Sequence, residues 1–530
     1  MGALPAIDSL SLRQLIGQLI VVRSSGCLLD GDRLYPQWEA DQNTLQTWVK
    51  DWSVGGVILL GGSAAEVSLK TKQLQDWADI PLLIAADIEE GVGQRFAGTS
   101  WFPPPMALAE IYRKDRRRAI ALAEQMGEIT AKESLSIGIN WILAPVMDVN
   151  NNPENPVINI RAFGETPEEV AALGTAFIRG VKKYPVLTSA KHFPGHGDTA
   201  MDSHVALPII PHELERLEKI ELPPFQEAIA AGVDSVMTAH LMIPTLDKKY
   251  PATLSPEILT NLLQQKLAFD GLIVTDALMM GGVTKFAEPA EVAVLALEAG
   301  ADILLMPPDV RGAIAAIEKA IQSGRLTLDR LKQSVTRIWA AKQKLTSQSI
   351  SSYPEAIAEQ QTQKIITEIL EYSSRHNNIS QPLPTHTASP AQNLIIVDSI
   401  LKSDFLKPNC PAIAIPQSHG FMPKIIELSH WQDYNLAATL TIVQIFTRGN
   451  PFTGKLAQPL KLLRKINKKV DIQAILSYGT PYFFPDIVQT FAGHIPCLFA
   501  YAQMAIAQDY LCSQLWNPDQ ANLSADTEFI

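Results

Sequence analysis

The chain has 530 residues, 47% of them hydrophobic and 19% charged, with a formal net charge of -11. That length predicts two or more domains with large cores, and an acidic chain without basic runs argues against a nucleic-acid binder and against a polybasic membrane patch. No run approaches the ~18 consecutive apolar residues of a spanning helix, the N-terminus lacks a signal-peptide pattern, and the scattered Cys27, Cys410, Cys497 and Cys512 predict reduced thiols in a cytoplasmic protein.

Up to about residue 345, short apolar runs alternate with helical stretches. The predicted strands are 18–22, 56–60, 82–86, 140–146, 186–190, 234–239, 271–275 and 302–306. Each is rich in Ile, Val or Leu, the pattern of strands buried on both faces of a parallel sheet. Amphipathic segments such as RRAIALAEQMGEITAKESLS lie between them. This alternation predicts an N-terminal (β/α)8 TIM-type barrel over residues 1–345, with an open doubly wound sheet as the alternative. Residues 346–392 are polar and Ser- and Pro-containing around one helical run, and read as a linker with a connecting helix. A second alternation over 393–530, with strands near 393–397, 411–415, 438–446, 472–477 and 495–501, predicts a smaller α/β three-layer sandwich.

In a barrel, chemistry collects where strands end and βα loops begin. Here those ends carry Asp87, Asp148, Lys191 with His192, His240 and Asp276. Any one of them reads equally as a cap or a satisfied loop residue. Together they aim polar groups at one face and suit hydrolysis of a small polar molecule. Asp276 follows an apolar strand and precedes ALMMGGV, a partly desolvated setting that suits a nucleophile, although a helix N-cap reads the same way.

The stretch KHFPGHGDTAMDSH, residues 191–204, is the densest in functional groups. A zinc site is one reading, although short ligand spacings are absent. A phosphate loop is another, although its glycines alternate with bulky residues. The third is a winding loop that presents Asp202 and His204 on one side of a short extended piece. The carboxylate would then orient the imidazole and raise its pKa for proton transfer.

Several segments in order along the chain carry a specific resemblance: LRQLIGQLIVV, DIEEGVGQR (87–95), APVMDV (144–149), VINIRAFGETPEEV (157–170), the 191–204 stretch, SVMTAHLMIP, PATLS, IVTDALMM and AGADILLMPPD. Over its first 310 or so residues the chain resembles glycoside hydrolase family 3, on the bacterial β-N-acetylglucosaminidase branch. The resemblance implies Asp276 as catalytic nucleophile and Asp202–His204 as the general acid/base dyad. It also implies that Lys191, His192, Arg161 and Asp87 bind the sugar. Three residues depart from the family pattern: Glu90 stands for a usual glycine, Gly93 for a usual valine, and Asn159 for a usual glycine before Arg161.

The implied chemistry is double displacement with retention, without metal or cofactor. A histidine acid/base tolerates an anionic acceptor better than a carboxylate does, so phosphorolysis stays open beside hydrolysis. The implied substrate is a small-molecule β-linked N-acetylglucosaminide, with peptidoglycan fragments as its source. A β-glucosidase or β-xylosidase of the same family, a metal-dependent hydrolase using the histidines, and a catalytically idle barrel are the rival readings. The C-terminal domain is expected to be non-catalytic, and the oligomeric state is not legible.

Overall fold

The computed structural model describes residues 4–199, 207–345, 360–377, 381–385, 391–400, 403, 405–428, 439–448, 458–491, 493 and 495–517. They fall into two compact units. The first takes in residues 1–102, 116–152 and 161–363, and the second residues 103–115, 153–160 and 364–530.

The first unit is built on eight short strands: β1 (Ile20–Ser25), β2 (Gly56–Leu60), β3 (Leu83–Ala86), β4 (Trp141–Ile142), β5 (Ser189–Phe193), β6 (Ser235–Thr238), β7 (Leu272–Val274) and β8 (Leu304–Leu305). One run of parallel pairings orders β4-β3-β2-β1-β8, and a second orders β5-β6-β7. Parallel bridges between Trp141 and Leu187 and between Val274 and Ile303 join the two runs on either side, so the ring of eight closes. The expected barrel forms because its strands are buried on both faces. The closed ring excludes the open-sheet alternative. The 140–146 run is cut to two strand residues because the chain passes through Pro145, which has no N–H for the ladder.

The helices around the ring start where their sequences dictate. Ser11, Ser63 and Thr166 each cap a helix and exchange hydrogen bonds with Gln14, Glu66 and Glu169, and Pro167 sits at a first helical position. One interior group works against the fold. Lys342, on the helix Leu328–Lys344, is buried, and its Nζ bonds Gln18 Oε1 at 2.7 Å. Burial pulls its pKa from 10.5 down to about 7. The unfolded chain then binds more protons than the folded one between pH 7 and 10.5, so this residue's contribution makes stability rise with pH across that window. Lys342→Met should raise stability at pH 7 by about 2 kcal/mol and flatten that slope, read from urea melts at pH 7 and 9.5. A variant less stable than the parent at pH 7 would show that the Gln18 bond outweighs the buried charge.

The second unit holds a six-stranded mixed sheet. Its strands are β9 (Arg375–Asn377), β10 (Ala391–Val397), β11 (Phe421–Glu427), β12 (Leu440–Thr447), β13 (Asp471–Gly479) and β14 (Cys497–Ala500), in the order β11-β10-β12-β13-β14-β9. All neighbours are parallel except β9, which runs antiparallel to β14. The helix Met106–Lys114 belongs to this unit, with Glu110 bonded to Arg375 Nη2 at 2.5 Å.

Residues 411–415 are not the expected strand. They open the helix Pro411–Ser418, with Cys410 extended at the cap and Pro411 at the first helical position, where its fixed φ is already helical. The strand is instead Phe421–Glu427, whose Pro423 masks it in the sequence. It lies at the sheet edge, where a missing N–H costs no ladder bond.

Candidate active site

The C-terminal ends of the barrel strands bring the expected polar residues together. The centre is a buried ion cluster. Glu89, two residues after Asp87, is 3% exposed, and its two oxygens accept from Arg161 Nε and Nη2, each at 2.8 Å. Lys191, within β5 and 1% exposed, bridges Glu89 Oε1 at 2.7 Å and Asp87 Oδ1 at 2.8 Å. Burial alone would push the Glu89 carboxyl up, but Arg161 and Lys191 hold it well below the usual carboxylate range. Burial likewise lowers Lys191, and Asp87 and Glu89 more than restore it, so its pKa lies above the ordinary lysine value. The lysine is therefore a fixed cation and a hydrogen-bond donor, not a base. Asp87 is the more exposed carboxylate of the cluster, at 29%. Its backbone carbonyl accepts from Arg95 Nε at 2.9 Å, which fixes the start of the loop.

A second group is organised by Asp148, which is fully buried. One oxygen accepts from the His192 and His196 backbone N–H groups at 3.2 and 2.7 Å, and the other lies 2.7 Å from His192 Nδ1. The carboxylate thus shapes the turn after β5 and orients the His192 ring. Burial works against its charge, but His192 and His196 outweigh that and lower its pKa. The loop can bend here because Gly197 has no side chain: a Cβ would overlap the Val149 carbonyl oxygen. Lys191–His192 and Phe193–Pro194 are joined by cis peptides.

His196 Nδ1 lies 2.9 Å from Thr199 Oγ1. Burial pulls its pKa from 6.5 to about 4, with Asp148 only partly opposing. It is therefore neutral at physiological pH and unsuited to donating a proton there. The unfolded chain gains a proton near pH 6.5 that the folded chain refuses until about pH 4, so stability falls as pH drops through that interval. His196→Asn should remove about 2 kcal/mol of that loss between pH 7 and 4.5, measured by urea denaturation at each pH. An unchanged pH slope would overturn the assignment.

Asp276 emerges two residues after β7 and is half-buried. Its Oδ1 accepts from the Ala277 N–H at 2.7 Å. The loop is pinned on both sides. Leu278 N donates to Leu305 O at 2.9 Å, and His240 Nε2 lies 3.1 Å from Ala277 O. A carbonyl only accepts, so that ring nitrogen carries the proton. His240 Nδ1 lies 2.8 Å from Thr253 Oγ1, whose hydroxyl donates to the Ala239 carbonyl at 3.0 Å. His240 is thus a satisfied core residue that positions the Asp276 loop. His196 and Asp276 are close enough to interact electrostatically. Asp202 and His204 lie outside the described residues. Among the described residues no group of three or more His, Cys, Asp or Glu is placed to hold a metal ion.

The family profile "Glycosyl hydrolase family 3 N terminal domain" matches residues 11–341, and "Bacterial Glycosyl hydrolase family 3 C-terminal domain" matches residues 385–517. The chain belongs to glycosyl hydrolase family 3. Among family 3 relatives, "Beta-hexosaminidase A" of Pseudoalteromonas piscicida is 35% identical over 339 residues, 58% of this chain and 56% of that one. The chain thus spans little more than half the length of that relative. "Beta-hexosaminidase" of Tolumonas auensis is 38% identical over 270 residues, 50% of this chain and 79% of that one. Among solved structures, a family 3 β-N-acetylglucosaminidase from Paenibacillus sp. str. FPU-7 has a TM-score of 0.77 at 30% identity, covering 96% of this chain and 97% of that one.

The three departures from the family 3 pattern now have local reasons. Asn159 has φ of 45°, the left-handed region that glycine favours and asparagine tolerates best among the other residues. Glu90 is buried, and its carboxylate accepts from Trp101 Nε1 at 2.9 Å, while its carbonyl accepts from Phe102 N at 2.7 Å. Gly93 N donates to Ser100 O at 2.8 Å, and a Cβ there would lie 2.5 Å from Thr99 O. Glu90 and Gly93 therefore act as a pair that clamps residues 99–102. Glu90→Gly should loosen that clamp and lower stability by about 1 kcal/mol, read as a melting shift, since it removes the acceptor of the part-buried Trp101 N–H.

Glu89 is the residue the sequence reading missed. It stands in the DIEEGVGQR segment two residues after Asp87, where the resembling family segment also carries a glutamate, and that match is the signal that could have found it.

Proposed function

We propose that this chain is a retaining exo-β-N-acetylglucosaminidase acting on a small-molecule glycoside, with peptidoglycan fragments in the cytoplasm as the physiological source. The observation that carries the reading is the Asp87–Lys191–Glu89–Arg161 cluster at the barrel mouth from which Asp276 also rises. A sugar hydroxyl both donates and accepts, and this cluster offers a carboxylate acceptor beside fixed cationic donors, locked before substrate arrives. Relatives 35% and 38% identical that carry the hexosaminidase name support the N-acetyl sugar.

In this reading Asp87, Lys191, Arg161 and His192 hold the sugar. Asp276 attacks the anomeric carbon while His204, oriented by Asp202, protonates the leaving oxygen. The anomeric C–O bond to the leaving group breaks as the Asp276 ester forms. His204 then takes a proton from water, which displaces the carboxylate with overall retention. The catalytic work belongs to residues 1–345, residues 346–392 lead from it into the second domain and already supply that domain's strand β9, and residues 393–530 are non-catalytic. Among the described residues no helix is long and apolar enough to cross a membrane.

The test compares β-aryl N-acetylglucosaminide with β-aryl glucoside, each with and without phosphate, and follows the first-formed anomer by NMR. Preference for the N-acetyl sugar, a β product and no glycosyl phosphate are expected. An α first product, or faster turnover of the glucoside, overturns the reading. Phosphate-dependent turnover replaces hydrolysis with phosphorolysis. Loss of activity on chelation would favour the metal-dependent rival.

A further inference from the structure

A second concavity lies at the same end of the barrel. It is a cavity of about 340 Å³ at the ends of β1 and β8, lined among others by Arg23, Trp38, Trp48, Met279 and Met306. It takes in none of the residues of the ion cluster. Three features mark it as a built site. The first is the loop that walls it, which runs from Gly26 to Asp41 between β1 and the helix Gln42–Lys50. Ordinary βα connections take about 2–6 residues, and much longer ones are usually functional.

The second is an aromatic platform. Trp38 is 50% exposed and stacks on Tyr35 with ring centroids 5.7 Å apart and 24° between planes. The Arg23 guanidinium lies 5.0 Å from the Tyr35 ring centroid and 5.8 Å from that of Trp38. The rings are thereby held in place while Trp38 keeps much of its surface open.

The third is an unsatisfied donor. The Arg23 side chain is 11% exposed, and its Nε–H is buried with no hydrogen-bond partner among the described residues. A buried donor of this kind implies an acceptor that arrives from outside the chain. Its charge is already matched. Arg23 Nη2 lies 3.3 Å from Glu39 Oε1, and that carboxylate also accepts from Tyr35 N at 3.1 Å. A neutralised pair favours an uncharged acceptor, a hydroxyl or amide oxygen, over a second anion.

We propose that this cavity is the binding site for the saccharide ring on the leaving-group side of the scissile bond. An apolar platform beside one uncharged-acceptor position fits a sugar ring, which has a C–H face for the indole and hydroxyl or acetamide oxygens at its edge. The chain connectivity allows this placement. Met279, in the lining, stands three residues beyond Asp276, and three residues of chain span at most about 11 Å. A ring bonded to the anomeric centre at Asp276 is within that reach. This inference rests on the glycosidase reading above.

The test uses the full chain, the β-1,4-linked disaccharide of N-acetylglucosamine, and methyl β-N-acetylglucosaminide, whose leaving group has no ring. Trp38→Ala should lower kcat/KM for the disaccharide by about tenfold, chiefly through KM, and change the methyl glycoside by less than about twofold. Trp38→Phe keeps a ring and should recover most of the loss, which also guards against a folding artefact. Equal losses on both substrates, or no loss on the disaccharide, overturn the inference. Should the parent cleave neither, the glycosidase reading falls, and calorimetric binding of the disaccharide, lost in Trp38→Ala and kept in Trp38→Phe, decides the cavity by itself.

Discussion

Asp276→Asn is expected to lower kcat by at least about 10³-fold while leaving the melting temperature within a degree or two. The size follows from the proposed role: as the nucleophile, Asp276 would form the glycosyl ester, and without its carboxylate only binding and acid assistance would remain. The fold should persist because the asparagine carbonyl can still accept from the Ala277 N–H that Asp276 Oδ1 holds at 2.7 Å. Leu278 and His240 pin the loop from either side through backbone atoms that the substitution leaves in place. In Asp276→Ala, which opens space where the carboxylate stood, azide, a small anion needing no proton removed, should restore turnover of an activated aryl glycoside and give the α-glycosyl azide. A variant that keeps more than about a tenth of the parent kcat, or a β-azide, would remove Asp276 from the nucleophile's role.

Glu89→Gln should be among the most destabilising single changes in the barrel, at about 3–5 kcal/mol by urea denaturation. It leaves Lys191, 1% exposed, and Arg161 facing each other without the carboxylate that joins them. The glutamine keeps the shape but turns one acceptor into a donor aimed at a cation. Activity should fall together with stability, because Lys191 and Arg161 lose their fixed positions. The sign of the pH dependence gives an independent check. Glu89 titrates well below its ordinary 4.5 in the folded chain. Its stabilising contribution is therefore complete above about pH 4.5 and is lost as pH falls further, so the variant should show a flatter acid limb there. A double change with Lys191→Met should cost less than the sum of the single changes, as expected for residues in direct contact. A Glu89→Gln loss below about 1 kcal/mol would show that water reaches the cluster and screens it.

Much of this was legible because barrel strands buried on both faces leave unbroken apolar runs such as GVILL, and the polar residue that ends each run then marks the mouth. Asp87, Lys191, His192 and Asp276 were found that way. Glu89 was not, because it lies in an acidic run where three carboxylates share four positions. Which of them joins the ion cluster is decided by Arg161 and Lys191, 72 and 102 residues further on, and periodicity does not report that. His240 shows the converse. A strand-end histidine looks chemical in sequence, and only the contacts at both ring nitrogens reveal a structural role. In the second unit the misread strand at 411–415 has the same origin. Five apolar residues carry too little periodicity to separate strand from helix, and Pro423 hides the true strand because its edge position is a property of the sheet, not of the segment.

The second unit takes residues from two places within the first 160 positions, 103–115 and 153–160. The helix Met106–Lys114 has Met106, Leu108 and Ile111 buried, and it is tied to Arg375 and Tyr501 through Glu110. A cut in the chain near residue 345 therefore does not divide the molecule along its seams. A fragment ending there would carry a helix whose apolar face and Glu110 have lost their partners, and it should express as an aggregating product. The complementary fragment would lack a wall of its own core. Recombination that exchanges the C-terminal half for that of another protein would meet the same obstacle.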